Sequence, residues 1–210
     1  MTGFAYRTTV KPWRSLRVEQ LSSLDETIDQ YFARYEATGN EELFESLCPY
    51  FGVPWPAGMA LAVYAEEQAR RWQGRSVLEL GCGLALPSLV LAQKGLSVTA
   101  TDFHPDVPWF LERNLAANGL SVQYQALDWQ EGGLAADVLL GSDLVYDRRQ
   151  PVTLVEFLKN AKWAEAVFAD PGRPYWEAFM ALAKKTWQVE EFLRDGIFFA
   201  RLVADPKVLQ

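Results

Sequence analysis

The chain has 210 residues, of which half are apolar and 13% aromatic, and its formal net charge is −7. This length suits one domain, or one domain with a small N-terminal extension, and the apolar content excludes a disordered chain. The acidic balance disfavours nucleic acid as a partner, because binding to a phosphate backbone depends on clustered Lys and Arg. We therefore expect a protein or a small molecule as substrate.

The sequence also predicts a cytoplasmic monomer without a membrane span. The first residues lack a continuous apolar run, and no stretch of about 18 apolar residues occurs. The two cysteines, Cys48 and Cys82, are expected to be free thiols, since Cys82 lies inside a glycine-rich turn. Two cysteines and one histidine provide no ligand set for a structural zinc ion.

The first 50 residues lack the regular alternation of strands and helices that follows, and we interpret them as an N-terminal helical cap. A helix is predicted from Leu24 to Ala37. The Pro-, Gly- and aromatic-rich segment Pro49–Gly58 then leads into a second predicted helix, Met59–Trp72. The sequence is thus divided into a cap, residues 1–50, and a main domain, residues 51–210.

Beyond the second helix, short apolar runs alternate with amphipathic segments. Strands are predicted at Val77–Leu80, Val98–Thr101, Val122–Ala126, Val138–Gly141 and Ala166–Ala169, and helices at Pro87–Gln93, Val107–Ala117, Pro151–Lys162 and Tyr175–Thr186. This alternation predicts a doubly wound α/β domain around a parallel sheet. A final hairpin, Val189–Leu193 with Ile197–Val203, is predicted because Asp195-Gly196 suits a tight turn.

The stretch between the first two strands of this domain carries the most specific signal. Gly81 and Gly83 end an apolar run and let a ligand approach the main chain closely, since glycine has no Cβ atom. Asp102 follows the next strand, where a carboxylate can accept hydrogen bonds from ribose hydroxyls. Together these residues outline a nucleotide-binding βαβ unit.

Two neighbouring positions narrow the choice of nucleotide. Leu86 stands where a dinucleotide fingerprint needs a small residue, which disfavours NAD and FAD. Glu79 precedes the first glycine, and its carboxylate can receive the cationic amino group of an amino-acid-like ligand. S-adenosylmethionine has such an ammonium and a ribose but no pyrophosphate. At these residues the chain resembles the class I, seven-strand methyltransferases, which implies S-adenosylmethionine as cofactor and a sheet of seven strands ending in an antiparallel hairpin.

Further candidates for the cofactor site follow the predicted strands, because open α/β sheets bind ligands beyond the carboxyl ends of their strands. Asp128 can accept a hydrogen bond from the adenine amino group while the Trp129 indole covers the base. The alternative for Trp129 is that it packs at the sheet edge. Phe103, Ser142 and Trp55 complete the residues that we assign to this site.

The sequence from Asp143 to Tyr146 is the second informative motif. This D-x-x-Y sequence, with the segments Pro54–Gly58 and Leu127–Trp129, resembles methyltransferase family 16, which contains many protein lysine methyltransferases. The segment Phe168–Pro174 resembles the branch that modifies the β-subunit of electron-transfer flavoprotein. One departure from the pattern is Ala85, which stands where many members of the family have a third glycine.

The chemistry of methyl transfer suggests roles for the residues of this motif. Displacement at a sulfonium methyl needs a neutral nucleophile in line with the methyl carbon, and a lysine amine, with a pKa of about 10.4, must first lose its proton. We hypothesise that Asp143 orients the amine and stabilises its developing charge, while Tyr146 and Trp55 supply aromatic walls. The alternative is that Asp143 caps the following helix and that Tyr146 packs in the core.

Two further side chains leave alternatives open. Arg173 either binds a substrate carboxylate or is held within its loop by Asp170, and both residues are candidates for substrate binding. His104 lies near Cys82 in the predicted topology, which raises a Cys–His nucleophile. We disfavour that hypothesis because a cofactor would cover the turn that carries Cys82.

The sequence therefore favours an S-adenosylmethionine-dependent N-methyltransferase that acts on lysine side chains of a protein. One alternative enzyme methylates a small amine or a pyridine-like base. A second alternative is a domain that binds the cofactor or a partner without turnover, and a dehydrogenase is a weaker third.

Overall fold

The computed structural model describes residues 3–36, 47–129 and 134–204. Within these ranges the chain forms nine strands and six α-helices. In order, they are β1 (Thr8–Trp13), β2 (Leu16–Leu21), α1 (Leu24–Glu36), α2 (Pro56–Gln68), β3 (Val77–Leu80), α3 (Leu86–Gln93), β4 (Val98–Asp102), α4 (Val107–Asn118), β5 (Gln123–Ala126), β6 (Val138–Ser142), α5 (Gln150–Asn160), β7 (Glu165–Asp170), α6 (Trp176–Ala183), β8 (Gln188–Arg194) and β9 (Ile197–Val203).

Seven of these strands form one sheet in the order β5-β4-β3-β6-β7-β9-β8. The first five run parallel, and β9 pairs antiparallel with both β7 and β8. The predicted doubly wound fold, with seven strands and a terminal hairpin, is therefore confirmed. The chain crosses from one side of β3 to the other between β5 and β6, and such a reversal of strand order opens a crevice for ligands at the carboxyl ends of the strands.

Helices cover both faces of this sheet, which is why every residue of β3 and β7 is buried. Val138 and Leu139, successive residues of β6, belong to different core clusters. Val138 packs with Leu61 of α2, whereas Leu139 packs with Phe179 of α6. Helix α2 begins at Pro56 rather than at the predicted Met59, because proline suits the first position of a helix. No helix in the described ranges is long and apolar enough to cross a membrane.

The N-terminal segment is not the helical cap that the sequence predicted. Strands β1 and β2 form an antiparallel hairpin, and only then does the predicted helix, α1, begin at Leu24. The hairpin escaped prediction because its turn holds Arg14 at φ 51°, without the Gly or Asn that favours this conformation. Ala37, the predicted end of α1, lies outside the described residues. The division of the chain at residue 50 stays a prediction.

Two asparagines of α4 attach this hairpin to the main domain. The Asn114 side chain accepts a hydrogen bond from the Glu19 N–H at 2.6 Å and donates one to the Glu19 carbonyl at 3.1 Å. Asn118 makes the same pair of bonds with Arg17, both at 2.8 Å. Because residues four apart share one face of a helix, the two amides bond to the open edge of β2 as a neighbouring strand would.

Candidate active site

The loop between β3 and α3 turns through three residues in the left-handed region. Gly81, Gly83 and Ala85 have φ angles of 56°, 51° and 58°. A Cβ atom on Gly81 would lie 2.6 Å from Leu144 Cδ2, and one on Gly83 would lie 3.0 Å from the Phe51 carbonyl oxygen. The neighbour of Gly83 is main chain, so this position needs glycine for space as well as for φ, whereas Ala85 keeps its methyl group at a conformational cost of about 1 kcal/mol.

Asp102, the last residue of β4, holds this loop in place. Its Oδ2 accepts a hydrogen bond from the Gly83 N–H at 3.0 Å, and its Oδ1 accepts one from the His104 N–H at 2.9 Å. Burial raises the pKa of Asp102, although both backbone donors oppose that rise. Each carboxylate oxygen has a second lone pair, so Asp102 retains acceptor capacity for the hydroxyl groups of a ligand.

Glu79 is turned toward the start of α3. Its Oε2 accepts hydrogen bonds from the Ser88 N–H at 2.9 Å and from the Ser88 hydroxyl at 2.5 Å. Ala85, the N-cap residue of α3, offers no side-chain oxygen, and the Glu79 carboxylate takes over that capping role. Burial raises the pKa of Glu79 to about 8, despite the bonds to Ser88 that lower it. The sequence did not reveal this role, and the predicted contact with a ligand ammonium stays a prediction.

The residues assigned to the adenine side differ in exposure. Phe103 leaves 50% of its surface exposed directly after β4. Asp128 is exposed, and Trp129 is half-buried against the core cluster that includes Leu127. The sheet-edge packing that was the alternative for Trp129 therefore accounts for part of its indole surface.

Asp143 occupies the carboxyl end of β6 in a constrained conformation. Its φ is 59°, and its N–H donates to the Ala169 carbonyl of β7 at 3.0 Å. Both carboxylate oxygens are buried, and within the described residues neither accepts a hydrogen bond of good geometry. Arg173 contributes a charged contact, with Nη1 at 2.5 Å from Oδ1. Burial raises the pKa of Asp143, while Arg173 lowers it.

The helix-capping alternative for Asp143 is wrong. Helix α5 begins only at Gln150, and its N-cap residue is Arg149. The Gln150 Oε1 atom accepts the N–H groups of Tyr146 and Asp147 at 2.7 and 2.8 Å, which orders the chain before this helix. The Asp143 carboxylate therefore does not cap the helix that follows it.

Asp170 and Arg173 form an internal clamp in the loop after β7. The fully buried Asp170 accepts hydrogen bonds at Oδ1 from the N–H groups of Gly172 and Arg173, at 2.8 and 2.7 Å. Its Oδ2 lies 3.4 Å from Arg173 Nη1, the same nitrogen that contacts Asp143. The sequence left two roles open for Arg173, and the structure contains the one in which Asp170 holds it within its loop.

The segment Pro54–Gly58 brings the start of α2 to the end of β6. A Cβ atom on Gly58 would lie 3.3 Å from Ser142 Oγ. Trp55 is half-buried, and its Nε1 donates to the Tyr50 carbonyl at 2.8 Å. Tyr146 is 53% exposed and therefore does not pack in the core, contrary to the alternative interpretation. The aromatic surfaces of Trp55 and Tyr146 are thus accessible to a ligand.

A Cys–His nucleophile is excluded by the hydrogen bonds of its two members. His104 Nδ1 accepts a bond from the Asp106 N–H at 3.1 Å, and Nε2 lies 3.0 Å from the Leu47 carbonyl, so both ring nitrogens are engaged. Burial raises the pKa of the Cys82 thiol well above its usual value. A buried thiol without a free base is not an activated nucleophile. Both Cys48 and Cys82 are free thiols, as predicted.

A comparison with family models identifies the family of this chain. A model described as lysine methyltransferase matches residues 46–170, which include the glycine loop, Asp102 and Asp143. The chain belongs to the lysine methyltransferase family. This membership confirms the resemblance to methyltransferase family 16, and it disfavours the dehydrogenase alternative.

This family member is similar to curated lysine methyltransferases over part of their length. It is 28% identical over 152 residues to the electron transfer flavoprotein beta subunit lysine methyltransferase of Rattus norvegicus, with 69% of this chain and 58% of that one covered. It is 30% identical over 135 residues to the calmodulin-lysine N-methyltransferase of Arabidopsis thaliana, with 57% and 44% covered. The chain thus spans about half the length of these relatives.

Solved structures agree with the fold of this lysine methyltransferase family member. The 16S rRNA N2 G1207 methyltransferase of T. thermophilus, in complex with AdoMet and guanosine, matches with a TM-score of 0.62 at 15% identity, over 95% of this chain and 50% of that one. A ribosomal protein L11 methylase from Lactobacillus delbrueckii subsp. bulgaricus matches with a TM-score of 0.55 at 17% identity, over 73% and 81%. At these identities the likeness is one of fold.

Proposed function

We propose that this protein transfers a methyl group from S-adenosylmethionine to the side-chain nitrogen of lysine in a protein substrate. One observation carries the proposal. Strands β3 and β6 are neighbours, with Leu80 paired to Gly141, so the glycine loop and Asp143 leave the same edge of the sheet side by side. A ligand-binding loop and a buried carboxylate thereby meet at the reversal of strand order, where α/β sheets bind ligands.

The residues of the glycine loop fit the cofactor. Gly81 and Gly83 expose main chain without a side chain, Asp102 has acceptor capacity for ribose hydroxyls, and Phe103 offers an aromatic surface next to it. Ser142, at the end of β6, completes the proposed cofactor contacts with Glu79, Asp128, Trp129 and Trp55. The cofactor, when bound, supplies an electrophilic methyl group.

The acceptor side is proposed at Asp143 and Tyr146. A buried negative charge holds an amine far more strongly than an exposed one, because little water screens the interaction. Asp143 would keep the lysine nitrogen in line for attack and stabilise the cation that results. The exposed face of Tyr146, with Trp55, would pack against that cation.

The openness of the acceptor side supports a protein substrate over a small amine. Tyr50 and Tyr146 are both about half exposed, whereas a small-molecule pocket would enclose its aromatic walls. The net charge of −7 suits a basic segment of a protein partner. We also propose that the protein is cytoplasmic, which its two free thiols support, and that it acts as a monomer.

Labelling of a cell lysate tests this function. The purified protein would be incubated with labelled S-adenosylmethionine and with lysate from cells that lack the gene, and methylated peptides would be found by mass spectrometry. We expect methyl-lysine in a small set of proteins, and none with the Asp143→Asn variant. Label in small molecules alone, or in no compound at all, would overturn the proposal.

A further inference from the structure

We propose that Arg173 is a positioning residue that is anchored on Asp170 and fixes the Asp143 carboxylate for the incoming lysine. This inference rests on the proposed function and specifies what the acceptor side requires. It concerns a residue outside the D-x-x-Y motif, in the loop after β7 instead of the loop after β6.

The geometry shows one guanidinium nitrogen shared by two carboxylates. Arg173 Nη1 lies 2.5 Å from Asp143 Oδ1 and 3.4 Å from Asp170 Oδ2. Asp143 directly follows β6 and Asp170 is the last residue of the neighbouring parallel strand β7, so the arginine joins the ends of both strands. The Arg173 side chain is itself mostly buried, which limits screening of these contacts by water.

The two acids differ in how their oxygens are used. Asp170 accepts main-chain N–H groups from Gly172 and Arg173 at Oδ1, and Arg173 approaches its Oδ2. It is therefore the anchor that sets the position of the arginine. Arg173 approaches Asp143 at Oδ1, and we place the acceptor amine at Oδ2, which accepts no hydrogen bond of good geometry from the described residues.

Electrostatics explain why an arginine is needed at this point. Two buried carboxylates without a counter-charge share a proton, because both cannot ionise in a site of low dielectric. The groups that act on Asp143 are Asp170 at the end of β7, Arg173 in the loop that follows it, and the Gly58 N–H at the start of α2. Burial and Asp170 raise the pKa of Asp143, whereas Arg173 and the Gly58 N–H lower it.

The sum of these charges matches the proposed substrate. Two carboxylates and one guanidinium give a net charge of −1, which one lysine ammonium neutralises. Without Arg173, Asp143 could bind a proton and lose its negative charge. Alternatively, the two carboxylates could hold the lysine ammonium so strongly that the ammonium does not lose its proton. Both effects slow methyl transfer most at low pH, since each is relieved as the pH rises.

The test compares Arg173→Gln, which removes the charge, with Arg173→Lys, which keeps it. The first measurement is a carbon-13 NMR titration of the Asp143 carboxyl group in the purified protein without ligands. We expect its pKa to move upward in Arg173→Gln and to stay near the wild-type value in Arg173→Lys. Thermal melts identify any variant that fails to fold. If Arg173→Gln does, Asp170→Asn replaces it, and because Asp170 raises the pKa of Asp143 we expect that pKa to move downward there.

The second measurement is the pH dependence of lysate methylation at saturating cofactor. We expect Arg173→Gln to lose about tenfold or more near pH 7 and to recover at higher pH, with binding of S-adenosylhomocysteine unchanged. A loss that is equal at every pH, or an unmoved titration of Asp143, would show that Arg173 is merely structural. Should wild type methylate nothing, the proposed function fails, while the NMR titration still decides the role of Arg173.

Discussion

The N–H group of Gly83 donates a 3.0 Å hydrogen bond to Oδ2 of Asp102, and this bond joins the glycine loop of β3 to the end of β4. The carboxylate proposed to bind the ribose therefore also sets the shape of the loop beneath it. A change at either residue is expected to affect both stability and ligand binding.

Gly83→Ala tests whether this loop needs glycine for space. A methyl group there meets the Phe51 carbonyl oxygen at 3.0 Å, and the main chain cannot yield as a side chain can. Gly95→Ala is the matched control, since its φ is also positive, at 80°, with no atom within 4 Å. We expect urea unfolding to show a loss of about 1 kcal/mol in the control and about 2–3 kcal/mol in Gly83→Ala. Equal losses would contradict the proposed contact.

Asp143→Asn separates the charge of this residue from its conformation. Asparagine tolerates the left-handed region, so the φ of 59° is retained while the negative charge is lost. We expect methylation to fall about 100-fold or more, with binding of S-adenosylhomocysteine unchanged in calorimetry. Asp147 lies in the same loop with 44% of its side chain exposed. Asp147→Asn therefore serves as control and should keep full activity. Full turnover by Asp143→Asn would refute the role given to the carboxylate.

Asn114→Ala is expected to loosen the N-terminal hairpin. Asn114 is fully buried, and its removal leaves the N–H and carbonyl groups of Glu19 without partners, at a cost of about 2 kcal/mol. Asn118→Ala should cost less, because water can reach its bonds to Arg17. Hydrogen exchange at the Glu19 amide measures the effect directly. Protection that is unchanged there would mean that β2 is held by its apolar contacts instead.

The buried Glu79 predicts a specific pH dependence of stability. Its pKa is raised to about 8 in the folded protein from an ordinary 4.5, so folding favours the protonated form. The contribution of this group is therefore fully present below pH 4.5 and is lost as the pH rises through 8. Glu79→Gln cannot ionise, and we expect it to gain thermal stability relative to wild type between pH 5 and pH 9. If the difference in thermal stability between Glu79→Gln and wild type stays constant from pH 5 to pH 9, Glu79 is not a buried carboxyl group that titrates in this range.

Much of the sheet could be predicted because strands such as β3 and β9 are apolar runs bounded by turn residues. Val77–Leu80 and Ile197–Val203 have the predicted bounds. The hairpin of β1 and β2 could not be predicted in the same way. Its turn residue Arg14 is an unusual choice for positive φ, and the edge of β2 bonds to Asn114, a side chain remote in sequence.

The sequence predicts which residues lie at the candidate site, but it does not predict which of these residues contact one another. Residues that follow parallel strands meet at one edge of the sheet, so Asp102 and Asp143 could be named from sequence. The directions of their side chains depend on partners in other loops. That is why the contacts of Glu79 with Ser88 and of Arg173 with Asp143 emerged only from the structure.

Isothermal titration calorimetry with S-adenosylmethionine and S-adenosylhomocysteine tests the central claim most directly. We predict saturable binding of both compounds to the wild-type protein, weakened about tenfold or more in Asp102→Ala, which removes the acceptors for the ribose. NAD should produce no comparable heat. A correctly folded wild-type protein that binds neither S-adenosylmethionine nor S-adenosylhomocysteine would contradict the account.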